Sequence, residues 1–222
     1  KVRNPVSAKV KEQYEENPYP RWINIGLHLN PSTISEVIED IGYLRLSSSI
    51  IKRVDAPEIL IAGCGTGQHS IETARRFKKS RVLAVDLSFA SLSYAKRKTK
   101  ELGFQNITYL QADILNLKKL NKKFDIIESS GVLHHTHNPM AAWKALVTCL
   151  KPGGIIKIGL YSKMARQNIT KIRKEIAKAK LEIKKSEIRK FRKSIIQSDG
   201  RHYETILSSK EFYSLSGVRD LL

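Results

Sequence analysis

Residues 60–70 read LIAGCGTGQHS, with Gly63, Gly65 and Gly67 at every second position. Backbone so bare of side chains lets a ligand come against main-chain N–H groups, which is recognition chemistry for a polar small molecule. Asp86 follows 19 residues after Gly67, at the end of the apolar run RVLAVD. A carboxylate there can accept hydrogen bonds from both hydroxyls of a ribose. Asp113 stands at the end of a third run, YLQAD, where its carboxylate could accept from the exocyclic amine of a base. Together the three features describe an adenosine-shaped site. Each also has a plainer reading alone: a glycine can serve a turn, and Asp86 can cap the next helix. Residue 68 is Gln, so the spacing is G-x-G-x-G and departs from the dinucleotide fingerprint G-x-G-x-x-G. No Gly-Lys-Ser/Thr follows, which excludes a P-loop.

The elements that must hold these residues alternate from residue 57 onward. EILIAG, RVLAVDL, NITYLQAD, FDIIESSG and IIKIGLYS read as buried strands. TGQHSIETARRF, the stretch from Ser88 to Gly103, and NPMAAWKALVTCLKPGG read as the helices between them. Nearly continuous apolar strands separated by helices predict an α/β fold, a parallel sheet covered on both faces. Before it, residues 6–16 suit a short helix, and Pro18 and Pro20 prevent its continuation. Ser32 or Thr33 can cap a second helix, with Glu36 at the capping-box position. After Tyr161 the alternation stops. Ile169, Ile172, Ile176, Ala179 and Ile183, then Phe191 and Ile195, mark one long or two shorter amphipathic helices ending near SDG at 198–200. A further helix is expected from Ser208 or Ser209. This gives three segments: 1–50, an N-terminal lid and helix; 51–161, the binding core; and 162–222, a basic helical insert and the start of a last helix.

Composition bounds the rest. The chain has 222 residues, of which 41% are hydrophobic, and a net charge of +19. Residues 163–193 carry thirteen Lys/Arg against three Glu, which suits either a solvated helical face or a surface for phosphates. Cys64 and Cys149 lack metal-site spacing and sit in interior patterns, so a reducing cytoplasm is expected. No apolar run is long enough to span a bilayer. The sequence starts at Lys1 and stops within a helix-like stretch, so the rest of a longer chain is expected to exist.

The stretches ILIAGCGTG, VLAVDLS, LQADI, FDIIESSGVLHHT and LKPGG, in this order over residues 57–160, resemble the class I S-adenosylmethionine-dependent methyltransferases, in particular the small-molecule and quinone-type branch. QYEENPYPRW resembles a segment preceding such a domain in certain bacterial proteins, some of them fused to tetratricopeptide repeats. The resemblance implies a Rossmann-like sheet with S-adenosylmethionine as cofactor. It places Gly63, Cys64, Gly65 and Gly67 against the methionine part, Asp86 on the ribose, and Leu87 beside the adenine. Asp113 and Ile114 would hold the adenine edge, and Ser129, Ser130 and Gly131 would line the sulfonium and the acceptor entrance. One departure stands out: the family usually has an acidic residue two positions before the first glycine, and here it is Ile61.

Methyl transfer is an in-line displacement, so the protein chiefly aligns nucleophile, carbon and sulfur. A base is needed when the nucleophile keeps a proton. His134 and His135, at the mouth of the fourth strand, are the candidates, either as a base or as buried structural groups. His69 and Tyr161 point toward the same edge. Tyr14, Tyr19 and Trp22 suit either an aromatic lid that contacts the sulfonium or a packed arm. No His/Cys/Asp cluster suggests a metal. The expected function is methyl transfer to a small-molecule or protein acceptor. The alternatives are an RNA methyltransferase whose basic helices hold phosphates, and a non-catalytic cofactor-binding module of a larger protein.

Overall fold

The computed structural model describes residues 4–28, 30–45, 49–178, 185–198, 203–213 and 218. In chain order the first unit contains α1 (Pro5–Glu16), α2 (Ile34–Glu39), α3 (Ser49–Lys52), β1 (Glu58–Ala62), α4 (Gln68–Arg76), β2 (Arg81–Asp86) and α5 (Phe89–Glu101). It continues with β3 (Ile107–Gln111), β4 (Phe124–Ser130), α6 (Pro139–Val147) and β5 (Leu150–Gly159). The strands form one parallel sheet in the order β3-β2-β1-β4-β5. The chain runs outward from β1 through β2 to β3, then returns to the other side of β1. That reversal opens a crevice at the C-terminal ends of β1 and β4, where ligands of open α/β sheets bind.

Period-two alternation builds the two faces. Ile59, Ile61, Val82, Ala84 and Ile126 face one layer, with Ala74 of α4 and Leu92 of α5. Leu60, Ala62, Val85 and Ile127 face the other, with Ala142 and Leu146 of α6 and Leu117 of a 3-10 turn after β3. Each fully buried Leu or Ile contributes about 1.5–3 kcal/mol, and this central strip is what holds the binding loops at its end. Cys64 and Cys149 are free thiols buried one in each layer.

The helix starts follow their caps. Asn4 accepts from the N–H groups of Val6 and Ser7. Thr33 and Glu36 form a capping box. Ser88 accepts from Ser91 N–H, and Asn138 from Ala141 N–H. Two local expectations differ from the structure. The Pro-Gly-Gly sequence does not end α6, which stops at Val147, but lies inside β5. There the pairing with β4 shifts register between Phe124 and Ile126. A side chain at Gly154 would come within 2.8 Å of the Asp125 carbonyl oxygen, so these residues build an irregular strand start. Asp113 lies two residues beyond β3 and caps the 3-10 turn Ile114–Leu120.

Tyr19–Arg21 group with residues 161–222 as the second unit. It contains α7 (Gln167–Lys178), α8 (Lys185–Ile196) and α9 (Glu204–Leu207), followed by a 3-10 turn at Lys210–Tyr213. Its own core is Ile172, Ile195, Ile206, Phe212 and Val218. Ala179, Ile183 and the end of the SDG stretch lie outside the described residues. Where a helix is expected from Ser208 or Ser209, the described residues form the 3-10 turn Lys210–Tyr213, and residues 214–217 and 219–222 lie outside the described residues. No helix among the described residues is long and apolar enough to cross a membrane.

Candidate functional site

The loops after β1, β2 and β4 meet at one edge of the sheet, as parallel pairing requires. The loop after β1 is held by its own backbone: the N–H groups of Gly63 and Cys64 both donate to the Val85 carbonyl, at 2.8 and 2.9 Å. Gly63 and Gly67 adopt φ of +79° and +88°, the left-handed region that favours glycine. Their missing side chains serve packing. A Cβ at Gly63 would lie 2.4 Å from a Val132 methyl, and one at Gly67 would lie 2.6 Å from the Ala95 Cβ. Gly67 thus lets α5 approach the loop, and Gly63 does the same for the residue after Gly131.

Asp86 ends β2 with both carboxylate oxygens directed at backbone. Oδ2 accepts from Gly65 N–H at 2.8 Å and Oδ1 from Ser88 N–H at 2.9 Å. The carboxylate therefore ties the loop after β1 to the loop after β2. Each oxygen keeps a further lone pair, so two ribose hydroxyls can still be accepted. Burial pushes the Asp86 carboxyl above its ordinary value; hydrogen bonds from Ser88 and Gly65 oppose the rise, and the nearby Glu15 charge adds to it. Leu87 is half-buried, and its carbonyl accepts from the Gln111 side chain at 2.9 Å. Asp113 Oδ1 accepts from Leu115 N–H at 3.0 Å, which leaves Oδ2 for another donor. Ile114 is buried in the core layer beneath.

At the end of β4, Ser129 is buried and donates to the Ala62 carbonyl at 2.9 Å, joining β4 to the start of the glycine loop. Ser130 is exposed. Gly131 has φ of +72°, and a Cβ there would meet nothing within 4 Å, so the backbone turns beside open space. The next residues form a 3-10 turn, Leu133–His135, pinned by the fully buried Leu133. The His134 and His135 rings are half-buried, with centroids 4.2 Å apart. The Tyr14 ring meets His135 edge-on at 6.2 Å. Tyr14 and the histidine pair are thus brought together.

Trp22 packs against the glycine loop. Its ring is 7% exposed, and its indole N–H points to Thr66 of the glycine loop, 3.1 Å from Oγ1 and 3.3 Å from the carbonyl. The cation near its ring is Lys98, 5.6 Å from the centroid. Tyr161 is exposed within the second unit, with the Arg166 guanidinium 3.7 Å from its ring centroid, and Tyr19 groups with that unit too.

Sequence reasoning passed over Glu128, a carboxylate buried in β4 at 3% exposure. Thr73 donates to its Oε2 at 2.6 Å, and His69 Nε2 lies 2.8 Å from the same oxygen. Lys157 of β5 lies 3.7 Å from Oε1. Burial alone would raise this carboxyl, but the bonds from His69 and Thr73 and the Lys157 charge outweigh it and hold it at about 2. A charge in the middle of the apolar run FDIIESS was the available signal, because a buried charge demands partners. Glu128 pairs in register with Ile61 of β1, so a carboxylate stands on the neighbouring strand where β1 carries none. Among the described residues no cluster could hold a metal ion.

The fold agrees with the comparisons with known proteins. Residues 59–154 match the model of a methyltransferase domain. The ubiquinone biosynthesis O-methyltransferase of Rickettsia canadensis is 30% identical over 169 residues, covering 74% of this chain and 67% of that protein. An uncharacterised protein of a Synechococcus strain is 34% identical over 122 residues, covering 54% of this chain and 29% of its own length. Among solved structures, PKMT2 of Rickettsia typhi, in complex with AdoHcy, shares the fold at a TM-score of 0.55 and 24% identity. That likeness covers 69% of this chain and 32% of PKMT2. The chain thus spans between about a third and two thirds of the length of these relatives. With the sheet order, the loop geometry and the two-thirds coverage of a named methyltransferase in agreement, the chain belongs to the class I S-adenosylmethionine-dependent methyltransferases.

Proposed function

We propose that the protein is an enzyme that binds S-adenosylmethionine along the C-terminal edge of β2, β1 and β4 and directs its methyl group to a small-molecule or protein acceptor. The observation that carries this reading is Asp86. Its carboxylate is fixed by N–H groups from two loops, yet keeps acceptor capacity at the position a ribose would take. The backbone at Gly131 turns beside open space, on the side where the reacting end of the ligand would lie. When bound, the cofactor supplies an electrophilic methyl group on a sulfonium. The chain supplies alignment: the glycine loop presents backbone, Asp86 orients the ribose, Asp113 offers Oδ2 to the base, and the turn at residues 129–131 borders the reacting end.

To His134 and His135, in the turn after β4, we assign the removal of a proton from an acceptor hydroxyl. The relative named for O-methylation in ubiquinone biosynthesis supports an acceptor that carries such a hydroxyl. A reducing cytoplasm suits the two free, buried thiols. A second reading, methylation of RNA, has one specific support: Lys171, Lys174 and Lys178 of α7 and Arg189, Lys190 and Lys193 of α8 are all exposed.

The test is calorimetric titration with S-adenosylmethionine and S-adenosylhomocysteine. Micromolar binding is expected, with a loss of at least about tenfold in Asp86→Ala, the scale of one or two hydrogen bonds to a charged group. A folded protein that binds neither ligand would overturn the enzyme reading of this chain, and the cofactor-binding module with it.

A further inference from the structure

The N-terminal residues touch the loops after β1, β2 and β4. Glu15, near the end of α1, accepts from Phe89 N–H at 2.9 Å with one carboxylate oxygen and from Ala90 N–H at 2.8 Å with the other. Phe89 and Ala90 are the first two residues of α5, whose leading N–H groups have no partner within the helix. Ser88 accepts from the third, Ser91 N–H. The first three orphan donors of α5 are thus satisfied by one cap residue and one side chain from α1. The same Ser88 donates its hydroxyl to the Tyr14 carbonyl at 3.0 Å and its N–H to Asp86. One residue therefore joins α1, the helix start and the ribose-binding carboxylate.

Trp22 holds the loop after β1 through Thr66, as described, and its carbonyl accepts from the Tyr94 hydroxyl of α5. The Tyr14 ring meets His135 in the loop after β4. Three loops from three strands are joined by α1 and Trp22.

We infer that α1 and Trp22 form a clasp that positions the cofactor site, with Glu15 and Trp22 as its positioning residues. The clasp fixes the loops after β1 and β2 in the geometry the nucleoside needs. Arm docking and nucleoside binding are therefore linked and each strengthens the other by the same factor. This rests on the S-adenosylmethionine reading given above. It assigns the arm a task distinct from covering the sulfonium, because Trp22 is buried against protein and Glu15 faces a helix start.

The test measures the affinity of this chain for S-adenosylhomocysteine and for S-adenosylmethionine in Glu15→Ala, Glu15→Gln and Trp22→Phe. Glu15→Ala and Trp22→Phe are each expected to weaken both ligands by the same factor, about fivefold to twentyfold. Glu15→Gln, which keeps one amide oxygen as acceptor, should recover part of the loss. Hydrogen exchange of the unsubstituted protein should show either ligand slowing the amides of α1 and of Phe89 and Ala90. A loss confined to S-adenosylmethionine would mean that Glu15 acts on the sulfonium charge through space, and would overturn the clasp. Unchanged affinity in Glu15→Ala, or α1 amides indifferent to ligand, would also overturn it. If the unsubstituted protein binds neither ligand, the site reading itself fails, which the calorimetry on Asp86 registers separately.

Discussion

At the scale of single residues, the decisive groups are two carboxylates with opposite surroundings. Asp86 is held by backbone N–H groups where burial raises its carboxyl, and Glu128 is held by His69, Thr73 and Lys157, which lower its own. Because Glu128 titrates at about 2 in the folded protein against an ordinary 4.5, the folded state binds fewer protons than the unfolded state between those values. Its stabilising contribution is therefore complete above pH 4.5 and drains away as the pH falls toward 2. Glu128→Gln is expected to cost roughly 3 kcal/mol at neutral pH. It should also flatten the acid limb of a plot of unfolding free energy against pH, which denaturant titrations at several pH values would record. Asp86 was legible in the sequence because a strand-end carboxylate behind a glycine loop has a recognisable spacing. Glu128 could be seen only as an anomaly, since its partners come from residues 59 and 55 positions away. The glycines were legible as a loop but not in their cause. What Gly63 and Gly67 make room for are Val132 and Ala95, contacts that only the folded chain brings together.

At the scale of elements, the strands and their order follow from apolar runs and βα alternation, and the caps at Thr33 and Ser88 follow from local side-chain chemistry. Less was legible where distant backbone intervened. The Pro-Gly-Gly sequence reads as a helix stop by local rules, but the carbonyl of Asp125 on β4 leaves no room for a side chain there and recruits those residues into β5. The docking of α1 was equally hidden, because Glu15 and the N–H groups it accepts from are about seventy residues apart. Helix α6 carries a consequence for the histidine turn. Its cap, Asn138, is three residues after His135 and holds Ala141 N–H at 2.9 Å, with Pro139 at the first helical position. Asn138→Ala should cost about 1 kcal/mol of stability, read from the urea midpoint. It should lower the rate of methyl transfer more than the affinity for S-adenosylhomocysteine, since the turn it steadies carries the proposed base and not the ribose contact.

At the scale of the whole molecule, charge and construction separate. The first unit holds the sheet and the site. The second has a small core of its own beneath helices that expose Lys and Arg. A net charge of +19 makes weak association with any polyanion expected at low salt. Anisotropy with a labelled single-stranded RNA decides what that means. If the basic helices are a solvated face, binding should be slight at 0.15 M salt and indifferent to S-adenosylhomocysteine. Affinity that persists there, with a logarithmic salt slope of about −0.7 per phosphate engaged, would favour the RNA reading. The same whole-molecule view gives the two thiols a use. They are the only cysteines in the chain, and neither reaches solvent: Cys64 lies within the glycine loop, where burial pushes its thiol well up, and Cys149 lies in the opposite layer. An alkylating reagent can therefore reach Cys64 only when the loop after β1 opens. The rate of its modification, read peptide by peptide against Cys149, becomes a clock for that opening, and a ligand seated on the loop would slow it.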